Sequence, residues 1–209
     1  MRLINYKDII LNDKVKSIKL RKENQAMDLG AIAKGFAADE VKGILMRNNI
    51  ENAIIDLGGN IYALGNKPDG TLWNIGIQDP INECREYVGI VSVQNKSVVT
   101  SGNYERYFMK DGKRYHHIID ASTGAPSENS IISATVISEY SIDGDALTTC
   151  VYVMGIEKGI KLIESIKGVE AIFITKDKHV YATTGLKDTF KLTNEEYIYK
   201  NSVIRIGVN

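Results

Sequence analysis

Short alternating runs, scattered without regular helical partners, constrain this chain most. Val15–Leu20, Ala53–Leu57, Leu72–Ile77, Tyr87–Val93, Tyr115–Ile119 and Ile131–Ile137 carry the alternating pattern of strands. Helical spacing appears at Ala33, Ala37, Val41, Ile44 and Leu45, ending near Asn48-Asn49. It recurs at Leu147, Val151 and Met154, where Gly155 suits a terminator. A third helical stretch, Ile160–Ile166, leads into a strand at Val169–Ile174. Strands outnumber helices in hairpin-like groups, with turn signals at Pro68-Asp69-Gly70 and Lys110-Asp111-Gly112. Because βαβ alternation is missing, the expected class is α+β rather than a doubly wound sheet. The polar and aromatic residues after Leu192, with a last apolar stretch at Val203–Ile206, receive no assignment.

A length of 209 residues suits one sizeable domain over 1–209, or two small units sharing a core. Lys+Arg and Asp+Glu both number 26, and a net charge of zero argues against a nucleic-acid partner, which needs a basic surface. Cys84 and Cys150 stand far apart with no CxxC or Cys/His cluster, so neither a zinc site nor a disulfide framework is indicated. Cys150, in an apolar helical stretch, is expected to be a buried thiol. The first residues lack the pattern of a signal peptide, and no run reaches the ~18 apolar residues of a membrane span. As given, the chain is expected to be compatible with the cytoplasm. No GxGxxG or P-loop is present, so a bound nucleotide needs another cradle.

Four segments carry candidate chemistry. In Met27–Asp39, a strand end with Asp28 turns into a helix that has Lys34 in its first turns. The free amides and dipole of a helix start favour anions, and Lys34 adds a charge for phosphate. Equally, Asp28 can be a plain helix cap. Asp56-Leu57-Gly58-Gly59-Asn60 is either a hairpin turn or a place where backbone approaches a ligand. Two of the three histidines, His116 and His117, precede Asp120 and a Ser-Thr-Gly turn. On a strand they face opposite sides, so one can face a cleft as a general base while the other packs. Asp145 and Thr149, four apart at a helix start, share a face and can both offer oxygen to a hard cation. An acidic first helical turn is the simpler alternative.

Together MDLGAIAKGFAAD, IIDLGGN, VVTSGNYERYF, YHHIIDASTG and DGDALTTCVYVMG resemble the FAD:protein FMN transferases, the ApbE-type flavin transferase family, in order and spacing over roughly Tyr6 to Leu192. The resemblance implies a T-fold-like α+β fold of antiparallel sheets backed by helices in two layers. It implies Mg2+ held by the backbone carbonyl of Ala31 and the side chains of Asp145 and Thr149, with FAD contacted at Asp28, Lys34 and Ile119. His117 becomes the candidate base. The implied reaction moves FMN from FAD to a Thr or Ser hydroxyl in a flavinylation motif of an acceptor protein, with AMP leaving. An FAD pyrophosphatase and a non-catalytic flavin-binding or assembly module are the alternatives.

Two departures from the family pattern stand out. Family members usually carry a substantial N-terminal region that contributes flavin contacts and often follows a lipoprotein signal, anchoring the protein on the outer face of the cell membrane. Its lack here implies an incomplete flavin pocket in a fragment, a naturally truncated protein or one half of a two-chain assembly, and apolar surface left uncovered would favour a homo-oligomer. Ala121 stands where the family often has proline, which relaxes a turn without removing a functional group.

Overall fold

The structure, a computed structural model, describes residues 3–82 and 86–201. In chain order, a hairpin of β1 (Ile9–Asn12) and β2 (Ser17–Leu20) precedes helix α1 (Ala33–Arg47). Then come β3 (Ala53–Asp56), β4 (Asn60–Leu64), β5 (Trp73–Gln78), β6 (Tyr87–Val93) and β7 (Lys96–Gly102). The short strands β8 (Tyr107–Lys110), β9 (Lys113–His116), β10 (Ile119–Asp120) and β11 (Ala125–Pro126) lead to β12 (Ile131–Ser138). Helices α2 (Ser141–Met154) and α3 (Ile156–Glu164) follow, then β13 (Glu170–Thr175), β14 (His179–Ala182), β15 (Phe190–Leu192) and β16 (Ile198–Asn201).

The large sheet has the order β16-β14-β13-β12-β7-β4-β3, and a smaller one runs β15-β6-β5. β14 and β16 pair in parallel, whereas the other described strand pairs are antiparallel. Period two sorts the large sheet's side chains between its faces. Ala171 and Phe173 of β13 face α2 and α3, packing with Val151, Tyr152, Ile160 and Ile163. Their neighbours Ile172 and Ile174 face the small sheet and pack with Ile75, Val88, Val91 and Phe190. Sheet and helices thus form the expected α+β unit, with the three-stranded sheet covering its other face. β12 runs through the middle with all eight residues buried. Its Thr135 faces Thr100 of β7, and the two hydroxyls share a hydrogen bond of 2.8 Å. Truncating Phe173 or Ile163, both fully buried, to alanine would cost about 2–5 kcal/mol.

Several expectations change in detail. Lys110-Asp111-Gly112 does close a hairpin, with Lys110 opposite Lys113. Pro68-Asp69-Gly70 instead carries the chain from β4 of one sheet to β5 of the other, because a turn reverses the chain without choosing its partner. The single strand expected at Tyr115–Ile119 divides between β9 and β10, where the Ile118 amide donates to Nδ1 of His116 at 3.3 Å. Cys150 is exposed, not buried. The stripe that α2 buries is Ser141, Gly144, Asp145, Thr148, Val151 and Tyr152, and Cys150 points off it. Cys84 and Val203–Ile206 lie outside the described residues. Among those residues, no helix is long and apolar enough to cross a membrane.

Candidate active site

The site is built where α1 meets α2. The residue before α1, Ile32, supplies no side-chain cap, so the helix's opening amides need partners from elsewhere. Ala33 donates to the Leu29 carbonyl at 2.9 Å, and Gly35 donates to Oδ2 of Asp145 at 2.8 Å. Asp28 is not the cap of α1; its carboxylate accepts from the Gly30 amide at 2.6 Å, shaping the turn before the helix. α2 is completed in the same manner from α1. Its Ser141 and Ile142 amides donate to the two oxygens of Asp39 at 2.9 and 3.0 Å. Each helix therefore caps the other with a carboxylate. Gly35 makes this possible, because a Cβ there would stand 2.6 Å from the Ile142 Cα and closer still to the Ser141 carbonyl oxygen.

Asp145 is only 6% exposed. Burial pushes its pKa up, against the pull of the Gly35 and Lys34 amides and the Lys34 charge. Among the described residues, no cation forms an ion pair with it. Thr149, one turn on, is half-buried, and its hydroxyl lies 3.5 Å from Oγ of Ser101 in β7. Ser101 donates to Thr148 at 2.9 Å, and Thr148 donates to the Asp145 carbonyl at 2.9 Å, so one chain of hydroxyls orders this stretch of α2. A buried carboxylate with no ion pair among the described residues, one helical turn before Thr149 and bonded to the start of α1, suits a hard, oxygen-seeking divalent ion. No group of three or more His, Cys, Asp or Glu able to hold a metal occurs among the described residues.

The histidines separate because β9 ends at His116 and the chain bends at His117. His116 is buried, its Nε2 lies 3.1 Å from the Ser127 carbonyl, and burial lowers its pKa. With Nδ1 accepting from Ile118, it is a neutral structural ring that meets Tyr152 edge-on. It lines a cleft of about 760 Å3 with Asn103, Arg114, Ser127, Asn129 and Lys176. His117 is exposed, and its Nδ1 lies 3.2 Å from the Arg106 carbonyl. A carbonyl can only accept, so Nδ1 carries the proton and Nε2 keeps its lone pair for a substrate. Ile119 is exposed beside it, and Asp120 accepts from the amide and hydroxyl of Ser122, whose hydroxyl above all holds the carboxyl below its ordinary range.

The Asp56–Asn60 segment is the hairpin turn between β3 and β4. Gly58 and Gly59 take φ of +62° and +86°, and space around both is open. Asp28 and Ala31 lie exposed on the approach to α1 and Lys34 is exposed in its first turn, where the Gly35 amide ties Asp145 to the helix. His117 and Ile119 sit on the β9–β10 excursion, and among the described residues no hydrogen bond joins them to Asp145. Sequence reasoning assigned no role to Gly35, Asp39 or Ser101. The spacing of Gly35 and Asp39, one turn apart on α1, was the available signal.

Known proteins resemble the chain in sequence and in fold. Residues 1–173 match the model of the ApbE family. A FAD:protein FMN transferase of Klebsiella pneumoniae (strain 342) is 38% identical over 197 residues, 94% of this chain and 60% of that protein. One of Treponema pallidum (strain Nichols) is 41% identical over 190 residues, 87% of this chain and 52% of its own length. The ApbE protein of Thermotoga maritima superimposes with a TM-score of 0.80 at 31% identity, covering 88% of this chain and 60% of that one. The flavin transferase ApbE of Vibrio cholerae gives 0.78 at 30%, covering 90% and 60%. The chain thus spans 52% to 60% of the length of these relatives. With a matching fold and a family model covering most of its residues, the chain belongs to the ApbE family.

Proposed function

We propose that this chain transfers FMN from FAD to a Thr or Ser hydroxyl of an acceptor protein, releasing AMP, with Mg2+ at Asp145, Thr149 and the Ala31 carbonyl. The supporting observation is the buried Asp145 carboxylate, held against the opening turn of α1 with no ion pair among the described residues. Relatives named FAD:protein FMN transferase add the substrate class. When bound, the ion neutralises diphosphate charge and makes the phosphorus a better electrophile.

The chain's own residues divide the remaining work. The first amides of α1 are taken by the Leu29 carbonyl and the Asp145 carboxylate, so the charge of the exposed Lys34 side chain is what this helix start offers the FAD diphosphate. Asp28 and Ile119, both exposed, contact the flavin nucleotide. His117 takes the acceptor hydroxyl's proton on Nε2 while Arg106 holds Nδ1–H, keeping the ring in one tautomer. The hydroxyl oxygen then forms a bond to the FMN phosphorus, and the bond to the AMP oxygen breaks. Water in place of the acceptor would give FMN and AMP, so hydrolysis is the expected side reaction.

The test is mass spectrometry of a Thr-containing acceptor domain incubated with this chain, FAD and MgCl2. An added FMN mass that disappears with EDTA supports the reading. Free FMN with no adduct would make the chain a pyrophosphatase, and no FAD turnover with metal-independent binding would make it a flavin-binding module. His117→Ala should slow transfer by about 10²–10⁴-fold while Mg2+ binding persists. Unchanged transfer would remove the base assignment.

A further inference from the structure

We infer that Asp39 is a positioning residue: by gripping the start of α2 it sets where the Asp145 carboxylate stands, and so where a cation can sit. The statement about the cation rests on the metal reading above. The statement about the carboxylate does not.

The residue before α2, Tyr140, supplies no side-chain cap, so the helix's first amides depend on α1. Asp39 takes two consecutive amides, one on each oxygen. A single-oxygen cap such as serine would satisfy one amide and leave the helix free to roll about its axis. Two oxygens on two amides hold distance and rotation together. Asp145 lies one turn after Ser141, on the same face, so any roll of α2 swings its carboxylate away from α1. On α1, Gly35 and Asp39 are likewise one turn apart. The pairings 39 with 141 and 35 with 145 run in opposite senses, so the helices lie antiparallel and share two joints. Ser141 is further held by its hydroxyl, which donates to Oδ1 of the fully buried Asn60 at 2.6 Å. Two carboxylates on one helix pair carry an electrostatic cost that neutral caps would avoid. Asp145 needs its charge for a cation; Asp39 needs two acceptor oxygens for geometry.

The experiment uses the full chain carrying Asp39→Ala, with Asp39→Asn as the conservative variant in case alanine prevents folding. Asn129→Ala is the control, since Asn129 holds the far end of α2 through the Tyr152 carbonyl at 2.6 Å. In metal-free protein, the Gly35 amide should exchange about 10-fold faster in Asp39→Ala than in Asn129→Ala at matched loss of Tm. Calorimetric Mg2+ affinity should fall about 10–100-fold, with Asp39→Asn intermediate, as for residues that orient a metal ligand. Gly35 exchange equal to the control's overturns the assignment. Faster exchange with unchanged Mg2+ affinity confines Asp39 to the fold and overturns its role toward the cation. If the unsubstituted chain takes up no Mg2+, the metal reading fails, and Gly35 exchange still decides whether Asp39 sets the carboxylate.

Discussion

Two buried aspartates, one on each side of the large sheet, have opposite surroundings. Asp79, just after β5, is 1% exposed and nearly saturated with donors. Its oxygens accept from the Tyr197 hydroxyl at 2.6 Å, the Ile81 and Asn82 amides at 2.8 and 3.0 Å, and the Asn82 side chain at 3.1 Å. Burial alone would raise its pKa, but these bonds outweigh it and the net shift is down. Asp145, equally sequestered, has backbone amides of α1 for partners, and burial wins, so the shift is up. A carboxylate that the fold has fully satisfied is a structural tie, here between the small sheet and the segment before β16. One that the fold has buried and left short of positive charge is suited to a ligand that brings it.

The comparison breaks most visibly if the two are neutralised in turn. Asp145→Asn should abolish metal-dependent FMN transfer while the metal-free protein keeps or gains stability. Residual AMP release at the original rate would remove Asp145 from the metal site. Gly35→Ala should come next, because its Cβ meets the α2 backbone. Overpacking of this kind costs about 1–3 kcal/mol, and the parted helices should also bind Mg2+ more weakly. A stable variant with intact Mg2+ affinity would show that the helices tolerate separation.

Asp79→Asn should cost stability without touching the chemistry. Leaving its donors unmatched costs about 1–3 kcal/mol, a Tm loss of several degrees by thermal melting, with the transfer rate at 25 °C unchanged. A rate loss larger than the stability loss would dissolve the contrast. The smallest effect is in pH dependence. Asp79, with its folded pKa lowered, stabilises above the unfolded carboxylate value near ~3.9, and that contribution is lost as pH falls through the folded value. Asp145, with its folded pKa raised, works in the opposite sense, and metal-free stability declines as pH rises through the carboxylate range. Urea titrations across that range should show Asp79→Asn flattening the acid loss and Asp145→Asn removing the opposing slope. Identical profiles for the two variants would refute the assignment of opposite signs.

Much of this was legible in the chain. Alternation located β6 to the residue and most of β12, and helical spacing found α1 and α2, because those patterns record which face is buried. β4 and β7 were missed as strands: they lie inside the large sheet, where burial of successive residues hides the alternation. Neighbours four apart on α2 marked Asp145 and Thr149, since helical spacing is local geometry, whereas His116 and His117 differ because β9 ends between them rather than by alternation along one strand.

The amino-acid order by itself determined the α+β class, the helix faces, the order of five motif segments and hence the family, all properties of residues near one another along the backbone. Tertiary structure alone decided that Asp39 and Asp145 cap each other's helices across about a hundred residues, that Cys150 faces outward, and that one buried aspartate is saturated while another is not. Hydrogen-bond partners and dielectric surroundings at that range exist only once the helices have packed, and they separate a structural carboxylate from one suited to hold an ion.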